Sequence, residues 1–118
     1  MEPESDRIRI ALSFARDHMQ ESLLIERLAD VAHLRVRQFG RAFRQETGET
    51  PAKAVERLRV EAARTRLQDG SEPIEQIAHA VGFTDRERMR RAFVNLYGMP
   101  PQAIRRANRQ NVRTLPAT

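Results

Sequence analysis

With 118 residues the chain is long enough for one domain, or for two small lobes sharing a connection, and too short for an enzyme domain joined to a separate regulatory one. It has no cysteine, which removes disulfides, thiolate catalysis and thiolate-bound zinc together, and no apolar run approaches the ~20 residues of a membrane span. The net charge of +5 is unevenly held: Arg88 to Thr118 contains seven Arg and no Asp or Glu, which leaves the first 87 residues at −2.

Apolar residues recur at intervals of three and four and nowhere alternate over a useful length, which predicts an all-α fold of about seven helices. The start Met1-Glu2-Pro3-Glu4-Ser5-Asp6 is acidic and polar rather than a signal peptide, so the expectation is a soluble cytoplasmic protein. The first helix is expected from about Asp6, as its N-cap, to Met19, with Ile10, Phe14, Ala15 and Met19 on one side. The second covers about Ile25 to Ala32 and the third about Val36 to Thr47. Gly48 is suited to the left-handed stop of the third, and Pro51 to the opening of the next, where its missing N–H would be unpaired anyway. The fourth helix, about Ala52 to Gln68, carries Val55, Leu58, Ala62 and Leu67, stops at Gly70 and spans roughly 25 Å. The fifth (about Ile74 to Val81) and sixth (about Arg86 to Tyr97, behind Asp85 as N-cap) resemble the second and third. Pro100-Pro101 opens a short seventh, and the tail from about Arg109 is expected to fray.

That likeness is written in the residues. Arg41-Ala42-Phe43 with Gly48 and Pro51 returns as Arg91-Ala92-Phe93 with Gly98 and Pro101, at an offset of 50 throughout. Upstream, the run Leu28 to Leu34 returns as Ile77 to Phe83 at an offset of 49, so the intervening turn has gained one residue. A repeat of this period means one supersecondary unit used twice, and helix, short turn, second helix and Gly stop is the order of a helix-turn-helix unit. The expected organisation is a domain over about 1–107, with lobe one at about 6–50, a central linker helix at about 51–69 and lobe two at about 71–107, followed by a flexible tail over 108–118. Each lobe alone is of marginal size for a core, so the two lean on a shared element.

Charge concentrates on the second helix of each repeat. Met89, Ala92, Phe93 and Leu96 form the apolar stripe of the sixth helix, which puts Glu87, Arg91 and Val94 opposite, with Arg88 and Arg90 on the flanks. In the third helix Phe39, Ala42 and Phe43 form the stripe, opposite Arg37, Arg41 and Arg44, with no acid between Leu34 and Gln45. Clustered positive charge is the footprint of a polyanion partner, and an Arg face suits the major groove, where guanidinium bonds guanine O6 and N7 while nearby phosphates fix the register. Two blander readings stand beside it. Charged helix faces are commonly just solvated, and an Arg-rich, Lys-poor composition also follows from a GC-rich genome. For Arg41 and Arg91 the alternative is an ion pair within the lobe, with Glu46 or Glu87, and the repeat favours DNA contact over it.

At these residues the chain resembles the AraC/XylS family of bacterial transcription regulators, in their two-helix-turn-helix DNA-binding domain. The likeness runs from about Ile8 to Arg106. It includes Leu28-Ala29, Arg41-Ala42-Phe43 with Thr47-Gly48 and Pro51, the linker run Leu58-Arg59-Val60-Glu61-Ala62-Ala63-Arg64, and the second-repeat set Ile77-Ala78, Val81-Gly82-Phe83, Arg91-Ala92-Phe93, Gly98 and Pro100-Pro101. The resemblance implies sequence-specific binding of double-stranded DNA, with the third and sixth helices in successive major grooves and the fourth holding them. The residues it carries over as base or backbone contacts are Arg37, Gln38 and Arg41, with Arg44 beside them, then Arg86, Glu87, Arg88, Arg90 and Arg91. It implies no cofactor. Within the family the chain looks most like the branch with an amidotransferase-like (PfpI-type) N-terminal domain, so an N-terminal sensor domain missing from this chain is expected, unless the chain is one of the short members.

Departures from the family pattern fall in the first lobe and in the linker helix. His33 stands where Gly is usual, and His is among the less penalised residue types if a positive φ is needed there. Arg35-Val36 replace a capping Ser and a Pro, Gly40 offers no side chain, and Arg66 takes a customary Leu position in the fourth helix. Catalytic readings find little support. His18, His33 and His79 lack ligand spacing, Glu72 and Glu75 suit a helix start, and no Gly-rich phosphate loop is present. The alternative from another class is a helical interaction module whose Arg faces bind an acidic protein such as RNA polymerase.

Overall fold

The computed structural model describes the backbone of residues 3–114 and the side chains of residues 3–108. Over that span the three-and-four periodicity becomes seven α-helices and no strand: α1 (Glu4–Asp17), α2 (Ile25–Val31), α3 (Val36–Thr47), α4 (Pro51–Asp69), α5 (Ile74–Ala80), α6 (Arg86–Tyr97) and α7 (Pro101–Thr114). The expected bounds hold to one or two residues, with α3 and α6 unchanged. Asp6 is not the cap of α1. The helix starts two residues earlier, behind Pro3, and places Glu4 and Asp6 in its first turn, where carboxylates complement the exposed N–H groups. The seventh helix continues to Thr114, overlapping the segment expected to fray, and residues 115–118 lie outside the described residues.

The chain divides into two compact units, residues 1–58 and 59–118, and the division falls inside α4. The first unit buries Ile8, Ala11 and Ala15 of α1, Leu28 and Ala29 of α2, Phe39, Ala42 and Phe43 of α3, and Ala54, Val55 and Leu58 of α4 in one cluster, with Ala32 and Leu34 from the turn. Phe39 and Phe43 meet at a tilted 5.6 Å. The second unit buries Val60, Ala63 and Leu67 of α4, Ile77 and Ala78 of α5, Met89, Ala92 and Phe93 of α6, and Ile104 of α7. Phe93 takes the edge of Tyr97 at 5.7 Å, and the Arg64 guanidinium lies over the Tyr97 ring.

Three apolar stripes differ from their expected registers. Ile10 is 43% exposed because Ile8, Ala11 and Ala15 face inward in α1, and Leu96 is 43% exposed at the end of α6. In α4 the buried residue is Ala63 rather than Ala62. Each of these buried faces includes alanine, which carries little weight in a hydropathy pattern yet lets backbones approach.

Candidate nucleic-acid interface

The geometry of each helix-turn-helix unit is set by the turn between its helices. In the first, the His33 N–H donates to the Asp30 carbonyl and the Leu34 N–H to the Ala29 carbonyl, both at 3.0 Å. In the second, the Gly82 N–H donates to His79 at 3.2 Å and the Phe83 N–H to Ala78 at 2.9 Å. The two patterns match bond for bond at the 49-residue offset, and both are the paired closure in which a left-handed residue ends a helix and reuses its last carbonyls. That residue has φ 97° at Gly82 and φ 56° at His33, the only non-glycine with positive φ among the described residues. The His33 carbonyl accepts a 3.2 Å hydrogen bond from the Arg7 guanidinium of α1, which ties the less favourable turn to the helix beneath it.

Behind these turns α3 and α6 begin differently. Asp85, in extended conformation, accepts the Arg88 N–H through its carboxylate at 2.8 Å and caps α6. Arg35 holds the matching position before α3 and provides no side-chain cap. Both helices stop at a left-handed glycine, Gly48 at φ 78° and Gly98 at φ 74°.

The exposed face of α3 carries Arg37, Gln38, Arg41 and Arg44, with Arg35 preceding it. Among the described residues the guanidiniums of Arg37, Arg41 and Arg44 have no hydrogen-bond or ion-pair partner, so Arg41 does not pair with Glu46. Gln38 donates to the Glu4 carboxylate of α1 at 3.3 Å. Uncommitted donors in water on a packed helix are positioned to bond acceptors of a partner without first breaking a bond of their own.

The exposed face of α6 carries Arg86, Glu87, Arg88, Arg90 and Arg91 and is wired differently. Arg90 donates from Nε and from its terminal nitrogen to the two oxygens of Glu87 at 2.9 and 2.7 Å, and Arg91 Nε lies 3.7 Å from Glu87 Oε1. The pairing weighed for Arg91 is therefore present, though long. The Arg90 hydrogen bonds hold the Glu87 carboxyl below the usual carboxylate range, and Arg91 and Arg86 add to the effect. Every cation on both faces is a guanidinium, and Lys53, in the first turn of α4, is the only lysine in the chain.

Two supports of the site were not legible in the sequence. Arg57 of α4 grips the Glu49 carboxylate with Nε at 3.0 Å and a terminal nitrogen at 3.1 Å, which fixes the turn after α3. Arg66 pairs with Glu72 at 2.9 Å instead of packing as a core residue, and Arg105 donates to the Glu72 carbonyl at 2.7 Å. Among the described side chains of α7, Arg105 is thus turned toward its own unit and Arg106 is exposed.

Among the described residues no group of His, Asp and Glu is arranged to hold a metal ion, and no helix is long and apolar enough to cross a membrane. Within the seven described helices, two units with paired closures, left-handed stops and cation-bearing second helices define a tandem helix-turn-helix module. Residues 28–107 match the family model described as a helix-turn-helix domain, and the chain belongs to that family, in its AraC type. The HTH-type transcriptional regulator Rv1931c of Mycobacterium tuberculosis is 41% identical over 83 residues, covering 70% of this chain and 32% of that protein. The transcriptional activator RhaS of Pectobacterium carotovorum is 32% identical over 102 residues, covering 86% of this chain and 37% of that one. Among solved structures, the DNA-binding domain of the transcriptional factor AdpA, in complex with a target DNA, superimposes with a TM-score of 0.86 at 28% identity, covering 92% of this chain and 98% of that one. An AraC-type regulator from Chromobacterium violaceum gives 0.82 at 28% identity, over 89% and 94% of the two chains. The chain spans only 32% to 41% of the length of the first curated relatives it matches.

Proposed function

We propose that this chain is the DNA-binding domain of a bacterial transcription regulator, with α3 and α6 entering successive major grooves of duplex DNA. The observation that carries the reading is the α3 face: three exposed guanidiniums without partners among the described residues, on the second helix of a properly closed helix-turn-helix. Arg37, Gln38, Arg41 and Arg44 serve the first half-site, and Arg86, Glu87, Arg88, Arg90 and Arg91 the second. The phosphates supply most of the affinity and the base edges the sequence preference.

The length of the relatives supports a larger protein, and we propose that its further domain senses a signal while the protein works at the nucleoid in the cytoplasm, where a regulator meets its DNA. The sequence likeness to the amidotransferase-like branch supports that identity for it. RNA polymerase is the natural second partner of such a regulator, and contact with it falls to surfaces outside the two Arg faces.

Footprinting tests the reading. Two protected major-groove segments about one helical turn, roughly 34 Å, apart are expected on selected duplexes. Binding should also fall steeply with salt, since each neutralised phosphate contributes close to one unit of log–log slope. One protected segment at saturation removes one of the two reader helices, and absence of duplex binding at low salt overturns the function.

A further inference from the structure

The 50-residue offset sets the two reader helices side by side, position for position. Arg41 matches Arg91, but Arg37 matches Glu87, Gly40 matches Arg90 and Arg44 matches Val94. The outward face of α3 is therefore donor-rich and contains no carboxylate, whereas that of α6 centres on an acceptor held between two guanidiniums, at 2.7 Å from Arg90 and 3.7 Å from Arg91. Helix stability alone accounts for an acid in the first turn of α6, where it favours the exposed N–H groups. The bidentate grip of Arg90 is an i, i+3 pair that also supports the helix, and it leaves the carboxylate half-exposed on the same face as Arg90 and Arg91.

A carboxylate on a groove-facing surface is unfavourable against phosphates and against acceptor base edges, and favourable only where a base offers a donor. Cytosine offers its N4 amino group in the major groove. Adenine sets the N7 acceptor beside its N6 amino group, guanine shows only acceptors there, and thymine shows an acceptor and a methyl. A carboxylate has about four lone-pair sites, so the oxygens that bind Arg90 keep capacity for a further donor, and Arg91 keeps donors for a neighbouring guanine.

We propose that Glu87 is the specificity-determining residue of the second helix-turn-helix unit, accepting a hydrogen bond from the N4 amino group of one cytosine and rejecting the other three bases at that position. The inference rests on the DNA-binding reading above. It makes the two half-sites chemically unequal: the first is recognised by guanidinium and amide groups, the second by an array that includes a carboxylate.

The test uses the full chain. Duplexes are selected from a random pool by the wild-type protein, and all four bases are then placed at each pair of the second half-site. Wild type should prefer cytosine at one pair by about 5- to 100-fold, the range of one good base contact. Glu87→Ala should flatten preference at that pair alone while raising affinity for scrambled duplex, because a negative charge beside the phosphates is gone. Glu87→Gln should move the preference toward adenine, whose N6 and N7 an amide matches. Melting midpoints of both variants check that α6 remains folded. Cytosine preference that survives Glu87→Ala overturns the proposal. So does an equal loss on every sequence, which would make Glu87 a residue that only holds Arg90 and α6. If wild type selects no duplex at all, it is the DNA reading that fails, and that outcome is distinct from selective binding that ignores Glu87.

Discussion

Two turn residues in equivalent places differ in how well their chemistry suits the backbone. Left-handed φ costs a Cβ-bearing residue roughly 1–2 kcal/mol, and Gly escapes it. Gly82→Ala should therefore lower stability by about 1 kcal/mol or more. His33→Gly relieves strain but frees the unfolded chain, so a change near zero or slightly stabilising is expected. Thermal melts of the two variants decide the matter, and equal small effects would show that the turns carry no such strain. The sequence made Gly82 plain and His33 conditional, since a positive φ at a histidine is visible only through its glycine counterpart. At the matched positions Arg41 and Arg91, substitution by Ala should cost about 1–3 kcal/mol on a cognate duplex if each reads a base. A phosphate contact behaves otherwise, weakening every sequence alike and reducing the salt slope by about one unit. Titration of cognate and scrambled duplexes at two salt concentrations separates the cases, and unchanged binding in both variants defeats their assignment as readers. What no pattern revealed were the Glu49–Arg57 and Glu4–Gln38 bonds, because they join elements whose packing must be known first.

Single helices show the same asymmetry between the units. The carboxylate of Asp85 satisfies an N–H that the Arg35 side chain leaves open at the start of α3. Asp85→Ala should destabilise by about 1 kcal/mol, and Arg35→Ser should stabilise by a similar amount, as melts of the free protein would show. No gain from Arg35→Ser would mean that water or the chain before α3 already serves that group. Helix positions and stops were legible because Gly48, Gly98, Pro51 and Pro101 punctuate the chain unambiguously. The inward faces of α1 and α4 were less so. Their alanines make periodicity ambiguous by one residue, and Ile10 and Leu96 drew the eye to sides that remain partly in water.

At the scale of the molecule the repeat made the fold legible, but the division of the chain inside α4 was not written in it. The buried cluster of residues 8–58 lies within the first unit, and Phe39 and Phe93 are fully buried, one in the core of each unit. Each substitution by Ala should cost about 3–5 kcal/mol. Hydrogen exchange should show Phe93→Ala opening α5, α6 and α7 while α1, α2 and α3 keep their protection, and Phe39→Ala doing the reverse. Uniform loss in both would show one cooperative fold. The choice of arginine over lysine also fixes how the protein can be governed. Guanidinium does not deprotonate at any pH a cell reaches, and acetyl transfer to lysine, a common means of erasing positive charge, has only Lys53 as a side-chain target here. Release from a polyanion then falls to ionic strength, to competition or to a partner that reshapes the domain, because neither deprotonation nor lysine acetylation removes the charge of the two faces.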